Sequence, residues 1–204
     1  ANVVIMPFYI SMMFLDKKDV YISFKDTKLN SKVSWLIIKL GLPSALAQAF
    51  TSVGFLLLNS WILSYGEATT AAFSTGNNIN SIILFPAMGI GQVVATFVGQ
   101  NIGAENSERA KNTIKVAMKF TIIFMAVGGL ALLPFRNILG SIFLENPESL
   151  ALSAEYMFFL FTSLPLMAIF QVFMGSYQGA GHTFYSLILA TIRLWGMRLP
   201  LVYL

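Results

Sequence analysis

The chain has 204 residues, of which 56% are hydrophobic and only 11% charged, with a formal net charge of +4. Soluble domains carry about a quarter of their residues charged, so this composition excludes an ordinary water-soluble fold. Lys and Arg gather in segments that flank apolar runs, a pattern that argues against a nucleic-acid partner; with no Cys and a single His182, disulfide frameworks and Cys or His metal centres are excluded too.

Residues 1–15 are apolar with no basic segment before them, so they read as the tail of a preceding transmembrane helix rather than a signal peptide. Residues 16–33 mix Lys17, Lys18, Lys25, Lys28 and Lys32 with Asp16, Asp19 and Asp26, which reads as a polar linker between membrane blocks. A first complete helix is expected over Ser34 to Ser64, with Pro43 near its start, followed by the uncharged-to-acidic connection SYGEATT. A second runs from Thr70 to Gly99. It belongs to a stretch, Ala68 to Ala104, without one Asp, Glu, Lys, Arg or His. A helix rises about 1.5 Å per residue and the hydrocarbon core is about 30 Å thick, so roughly 20 such residues suffice to cross. The connection QNIGAENSERAKNTIK carries Arg109, Lys111, Lys115 and Lys119, and Asn106 within it has the chemistry of an N-cap for a third helix reaching Leu133. Pro134 closes that helix. Asn146 and Pro147 supply a cap and a first-turn proline for a fourth, Pro147 to Ser176. The loop YQGAGHT turns into a fifth helix from Phe184, whose apolar run reaches Leu204. Apolar sequence at both ends leads to the expectation of an internal fragment, with residues 34–204 forming four full helices and most of a fifth.

Basic residues in successive connections number five, none, four and one. This alternation places the linker and the segment after Gly99 in the cytoplasm and the connections at Glu67 and Arg136 outside. The fold class is thus all-α integral membrane, a multi-span helical bundle in the lipid bilayer of the plasma or inner membrane.

Polar side chains within these helices fall on stripes. Gln48, Thr51, Ser52, Phe55 and Asn59 share one face of the first helix; Ser74, Asn77, Asn78, Ser81, Met88 and Gln92 share one of the second; Ser163, Met167, Gln171, Met174 and Gln178 share one of the fourth. Two readings stand. The stripes line a cavity for large, varied molecules, since Met and Phe adapt their shape and amides orient ligands without charge matching; or they bond to one another as glue between helices. Pro86, with Gly89 and Gly91 beyond it, and Pro165 in the fourth helix mark either hinges or static kinks. Ionisable groups are sparse. Glu155 lies in the first turns of the fourth helix, where a solvated position is expected, whereas Arg193 and Arg198 fall inside the fifth helix. Arg193 is close enough to the loop to snorkel, and Arg198 is a buried charge facing a polar interior. No Ser/His/Asp set, metal-ligand spacing or phosphate-binding glycine loop is present, so nothing in the residues argues for catalysis or a cofactor.

Three stretches carry a resemblance. IIKLGLPSALAQAF, AAFSTGNNINSIILFPAMGIGQVVATFVGQNIGAENSERAK and GSYQGAGHTFYSLILATIRLWGMRLP, in this order and spacing, resemble the carboxyl-terminal lobe of multidrug and toxic compound extrusion (MATE) transporters, with VGQNIGAENSERA the most specific segment. The resemblance implies about half of a two-lobe, twelve-helix transporter, whose opening residues match the end of the amino-terminal lobe and the cytoplasmic inter-lobe linker. It implies a secondary active antiporter that exports small-molecule organic cations or drugs in exchange for a sodium ion or a proton. Some branches of the family carry an acidic cation ligand where this chain has Thr51, and an Asp in the helix spanning Tyr156 to Gly181, where this chain has none. The resemblance therefore implies a coupling site in the amino-terminal lobe. A lipid-linked oligosaccharide flippase of the same superfamily is one rival, for which only Arg193 and Arg198 are placed to serve a pyrophosphate. A non-transporting truncated membrane subunit is another.

Overall fold

The computed structural model describes residues 6, 7 and 30–203. The apolar opening segment and most of the Lys-rich linker fall outside the described residues. The chain divides into two compact units, Ala1–Lys39 and Leu40–Leu204. Of the first, the described part is chiefly the opening of helix α1, Ser31–Leu63, which begins three residues before the expected start.

In the second unit α1 continues and is followed by α2 (Glu67–Gly103), α3 (Ser107–Leu132), a 3₁₀ turn (Leu133–Phe135), the short α4 (Arg136–Ser141), α5 (Pro147–Gly179) and α6 (Thr183–Thr191). The chain then runs through a π-helical stretch, Ile192–Arg198, into α7, Leu199–Tyr203. All these elements are helical. Four of them have the length and apolar character to cross a bilayer: α1, α2, α3 continued through Ser141, and α5. Large apolar side chains such as Leu56, Phe85, Leu130, Phe159 and Leu166 are exposed on their outer faces, where water would penalise them and lipid does not.

Local chemistry sets the ends. The Asn106 side chain accepts from the Arg109 backbone N–H at 2.9 Å, and that of Asn146 accepts from the Glu148 N–H at 2.9 Å, with Pro147 as the first helical residue. Each thereby occupies one of the donors that a helix start leaves unpaired. Helix α2 ends later than expected, at Gly103, so the connection to α3 shrinks to Ala104–Asn106, with Glu105 in the left-handed region at φ 58°. Arg109, Lys111, Lys115 and Lys119 accordingly sit on the first turns of α3, not in a loop. Pro134 ends α3 as expected, but the chain tightens into the 3₁₀ turn and resumes as α4 before the bend at Asn146.

The core lies where α2, α3 and α5 meet. Ile79, Ile83 and Ala87 of α2, Met125 of α3, and Met157, Phe161, Leu164 and Ala168 of α5 are buried against one another. Further along, Val94 and Val98 pack on Val172. At that level the backbones of α2 and α5 touch. A Cβ built on Gly175 would run into the carbonyl of Gly91, and one on Gly179 into the carbonyl of Ala95; a Cβ on Gly99 would lie 3.1 Å from the carbonyl oxygen of Gly179. Small residues four apart on both helices permit this approach, and association in lipid depends on such close packing. Helix α1 joins the unit differently, through Leu58 and Ile62, which pack on Leu199 with Trp195 and Phe73 around them.

Candidate functional site

Most hydroxyls on the polar stripes turn back onto their own helix. Thr51 Oγ1 donates to the Ala47 carbonyl at 2.7 Å, Ser81 Oγ to that of Asn77 at 2.8 Å, and Ser163 Oγ to that of Leu160 at 2.8 Å. A hydroxyl satisfied in this way needs no partner across an interface. Among the side chains expected to line a cavity, Gln48, Asn59, Asn78, Met88 and Gln92 are exposed, and Thr51, Asn77, Ser81, Met167 and Gln171 are half-buried. Two of them bond across to another helix within the described residues: Met167, to Arg193, and Asn77, whose Oδ1 accepts from the Tyr156 hydroxyl of α5 at 3.2 Å while its Nδ2 donates to the Phe73 carbonyl at 2.9 Å.

That bond belongs to a larger cluster built from four elements. Arg198, at the end of the π-helical stretch, donates from Nη2 to the Tyr156 hydroxyl at 3.3 Å. Its guanidinium carbon lies 5.3 Å from the ring centroid of Phe55 on α1 and 5.9 Å from that of Phe73 on α2. Phe73 and Tyr156 face each other at 5.2 Å between centroids. One turn earlier, Arg193 lies 4.0 Å from the ring centroid of Phe170 and donates from Nη1 to the Met167 sulfur at 3.5 Å. Faces of aromatic rings stabilise a cation that has left bulk water. The last helix is held in place for this by α1: the Trp195 indole N–H donates to the Phe50 carbonyl at 3.0 Å, and Leu194 fills the space above Gly54, where a Cβ would strike it.

Of the bend-forming residues, Gly91 is buried, with a built Cβ 3.1 Å from the Gln171 carbonyl oxygen, so close packing accounts for that glycine. Gly89 has no neighbour within 4 Å of such a Cβ, and Pro86 beside it is exposed. Pro165 is half-buried within α5. Glu155 is exposed and borders a surface hollow with Arg136, Phe158 and Phe159, roughly 100–120° around α5 from Tyr156 and Met167. Among the described residues no group of three His, Cys, Asp or Glu side chains comes together to hold a metal ion.

Sequence reasoning identified Arg198 and Phe55 but not Tyr156, Phe73 or Phe170. The signal existed for Tyr156, which lies seven residues before Ser163 and so on the same face of α5. Phe73 and Phe170 are indistinguishable in sequence from the many lipid-facing phenylalanines.

A family model described as MatE matches residues 43–204. The chain is 24% identical to the "Probable multidrug resistance protein YoeA" of Bacillus subtilis over 98% of its own length and 44% of that protein's. It is 29% identical to the "Probable multidrug resistance protein YpnP" of the same organism, covering 82% of this chain and 38% of the relative. Its fold superposes with a TM-score of 0.91 on the outward-facing conformation of a multidrug resistance MATE family transporter of the MOP superfamily, at 23% identity, over 98% of this chain and 46% of that one. The chain spans less than half the length of each.

Proposed function

Because this chain belongs to the MatE family, we propose that it serves as one lobe of a secondary antiporter that exports bulky organic molecules, drugs and organic cations among them, in exchange for sodium ions or protons. One observation carries the reading. Gln48, Asn78 and Gln92 lie well inside membrane-length helices, are exposed, and find no side-chain hydrogen-bond partner among the described residues. An unpaired amide in hydrocarbon costs several kcal/mol, about as much as a small helix contact supplies, so these faces open on a wetted path rather than on lipid tails. Glue between helices would require the stripes to bond across, and among the described residues only Asn77, to Tyr156, and Met167, to Arg193, do so. Pro86, Gly89 and Pro165 are the places where α2 and α5 would bend as that path opens.

The coupling ion is assigned elsewhere in the full-length protein. A site that binds sodium or exchanges a proton within the bilayer calls for a carboxylate, since neutral oxygens do not titrate near neutral pH. Beyond the first turn of each helix, the spans of this lobe offer only Glu155, which is exposed beside Arg136 and Phe159. The test is efflux of ethidium by the full-length protein in proteoliposomes. Asn78→Leu, Gln92→Leu and Gln171→Leu should each weaken apparent affinity several-fold, since one hydrogen bond is worth about 1 kcal/mol, and leave insertion and folding intact. Unchanged efflux in all three would return these residues to a structural role.

A further inference from the structure

Arg193 and Arg198 stand about 15 and 22 Å along the last helix from its start at Thr183, within a core about 30 Å thick. Each guanidinium carries a delocalised positive charge and presents five N–H donors. Among the described residues, what meets them is neutral: a phenol hydroxyl, a thioether sulfur and the faces of Phe55, Phe73 and Phe170. The helices around them carry carboxylates only near their ends, Glu67 opening α2 and Glu148 and Glu155 in the first turns of α5. Asp and Glu are absent from Lys32 to Gly66, from Ala68 to Ala104 and from Tyr156 to Leu204. The lobe thus holds two positive charges at bilayer depth with most of their donors unused, an arrangement that is costly unless an anion completes it.

The backbone gathers these charges. In an α-helix residues five apart lie roughly 140° from one another around the axis. Over Ile192–Arg198 the chain is π-helical, with the Leu199 N–H bonded to the Leu194 carbonyl five residues back, so Arg193 and Arg198 lie about one turn apart and much nearer to one side than an α-helix would place them. Both reach toward one face of α5, where Tyr156 and Met167 are eleven residues apart and therefore aligned, about 16 Å along the axis. Between them on that face stands Ser163, its hydroxyl satisfied within its own helix. The lining is thus aromatic and thioether with two fixed cations, which suits an aromatic body carrying an acidic group.

We infer that Arg193 and Arg198, brought to one side by the π-helical stretch, form a receptor for the carboxylate or phosphate of an aromatic molecule that enters this lobe. This rests on the transport reading above and adds a substrate class to it: zwitterionic or anionic aromatics, beside the organic cations. A phospholipid headgroup is a poorer occupant, because its phosphate lies outside the hydrocarbon core whereas Arg198 is turned inward to Tyr156.

The test uses two dyes that share a xanthene frame and differ in charge, fluorescein (anionic) and rhodamine 6G (cationic). Binding to the full-length protein in phospholipid-free detergent is followed by fluorescence anisotropy, so the result does not depend on whether the protein transports. Fluorescein should bind, and Arg198→Gln and Arg193→Gln should each raise its Kd about tenfold or more, Arg198→Lys less, while rhodamine 6G changes less than about twofold. Thermal melts of each variant accompany the titrations, and Arg198→Lys, which keeps the charge, serves where a Gln variant fails to fold. The inference is overturned if the wild type does not bind fluorescein, or if folded Gln variants bind it unchanged. It is overturned equally if both dyes weaken together with a fall in melting temperature, the signature of arginines paired to a carboxylate of the protein itself. Displacement of fluorescein by added phosphatidylglycerol would identify a lipid site instead. If these binding results hold but efflux of both dyes is absent, the transport reading fails while the anion site stands.

Discussion

Replacing Gly175 by alanine adds one methyl group at the closest point between α2 and α5. The new Cβ would overlap the Gly91 carbonyl oxygen and lie 2.9 Å from its carbon and 3.2 Å from its Cα. All three are backbone atoms, so no side chain can swing aside and the helices must separate. Overpacking of this kind costs about 3 kcal/mol at the upper end of its usual range. Against it stands the gain of about 1 kcal/mol that alanine brings to a helix interior. The net loss is about 2 kcal/mol, or roughly 4–8 °C in melting temperature for a unit of this size. Gly89→Ala is the matched control, because a Cβ there meets nothing within 4 Å. It should melt at or slightly above the wild type, by the propensity term of about 1 kcal/mol alone. The measurement is thermal unfolding in detergent monitored by tryptophan fluorescence, since Trp61 and Trp195 both pack at the α1 contact. If Gly175→Ala melts with or above Gly89→Ala, the backbone contact does not hold α2 to α5 and the packing argument falls. The same pair separates packing from bending, because a hinge at Gly89 would show as slowed efflux with unchanged stability.

Two further outcomes are expected. Glu155→Gln in the full-length protein should leave the sodium or proton dependence of efflux unchanged, measured as initial rates across imposed ion gradients; loss of the dependence with normal folding would place the coupling ion in this lobe. A cysteine at Glu67 should react with an impermeant thiol reagent added outside intact cells and one at Lys111 should be protected, and the reverse pattern would overturn the assigned orientation.

The helices were legible because the bilayer imposes a simple rule on sequence, a charge-free run bounded by polar residues and caps, and Asn106, Pro134, Asn146 and Pro147 all act as that rule expects. The end of α2 was misplaced because Gly99 resembles a helix terminator. It is there to admit the backbone of Gly179, a neighbour that no local pattern reveals. Stripe periodicity placed Asn77 on an inward face but did not identify Tyr156 as its partner, because pairings between helices far apart in sequence depend on packing, not period. The π-helical stretch left no trace in the pattern at all, since Ile192–Arg198 has the apolar spacing of an ordinary span.

That stretch also gives the last helix one residue to spare. A π turn holds one residue more than an α turn, and the residues after it are set about 100° less far round than an uninterrupted α-helix would place them. Leu199 meets Leu58 and Ile62 of α1 in this displaced register. Removing one residue between Arg193 and Arg198 would wind the turn back to α without breaking the helix, and would leave the two arginines four residues apart, still on one face. A deletion there is therefore a far gentler lesion than a proline: the span stays continuous and apolar, and its two charges stay aligned.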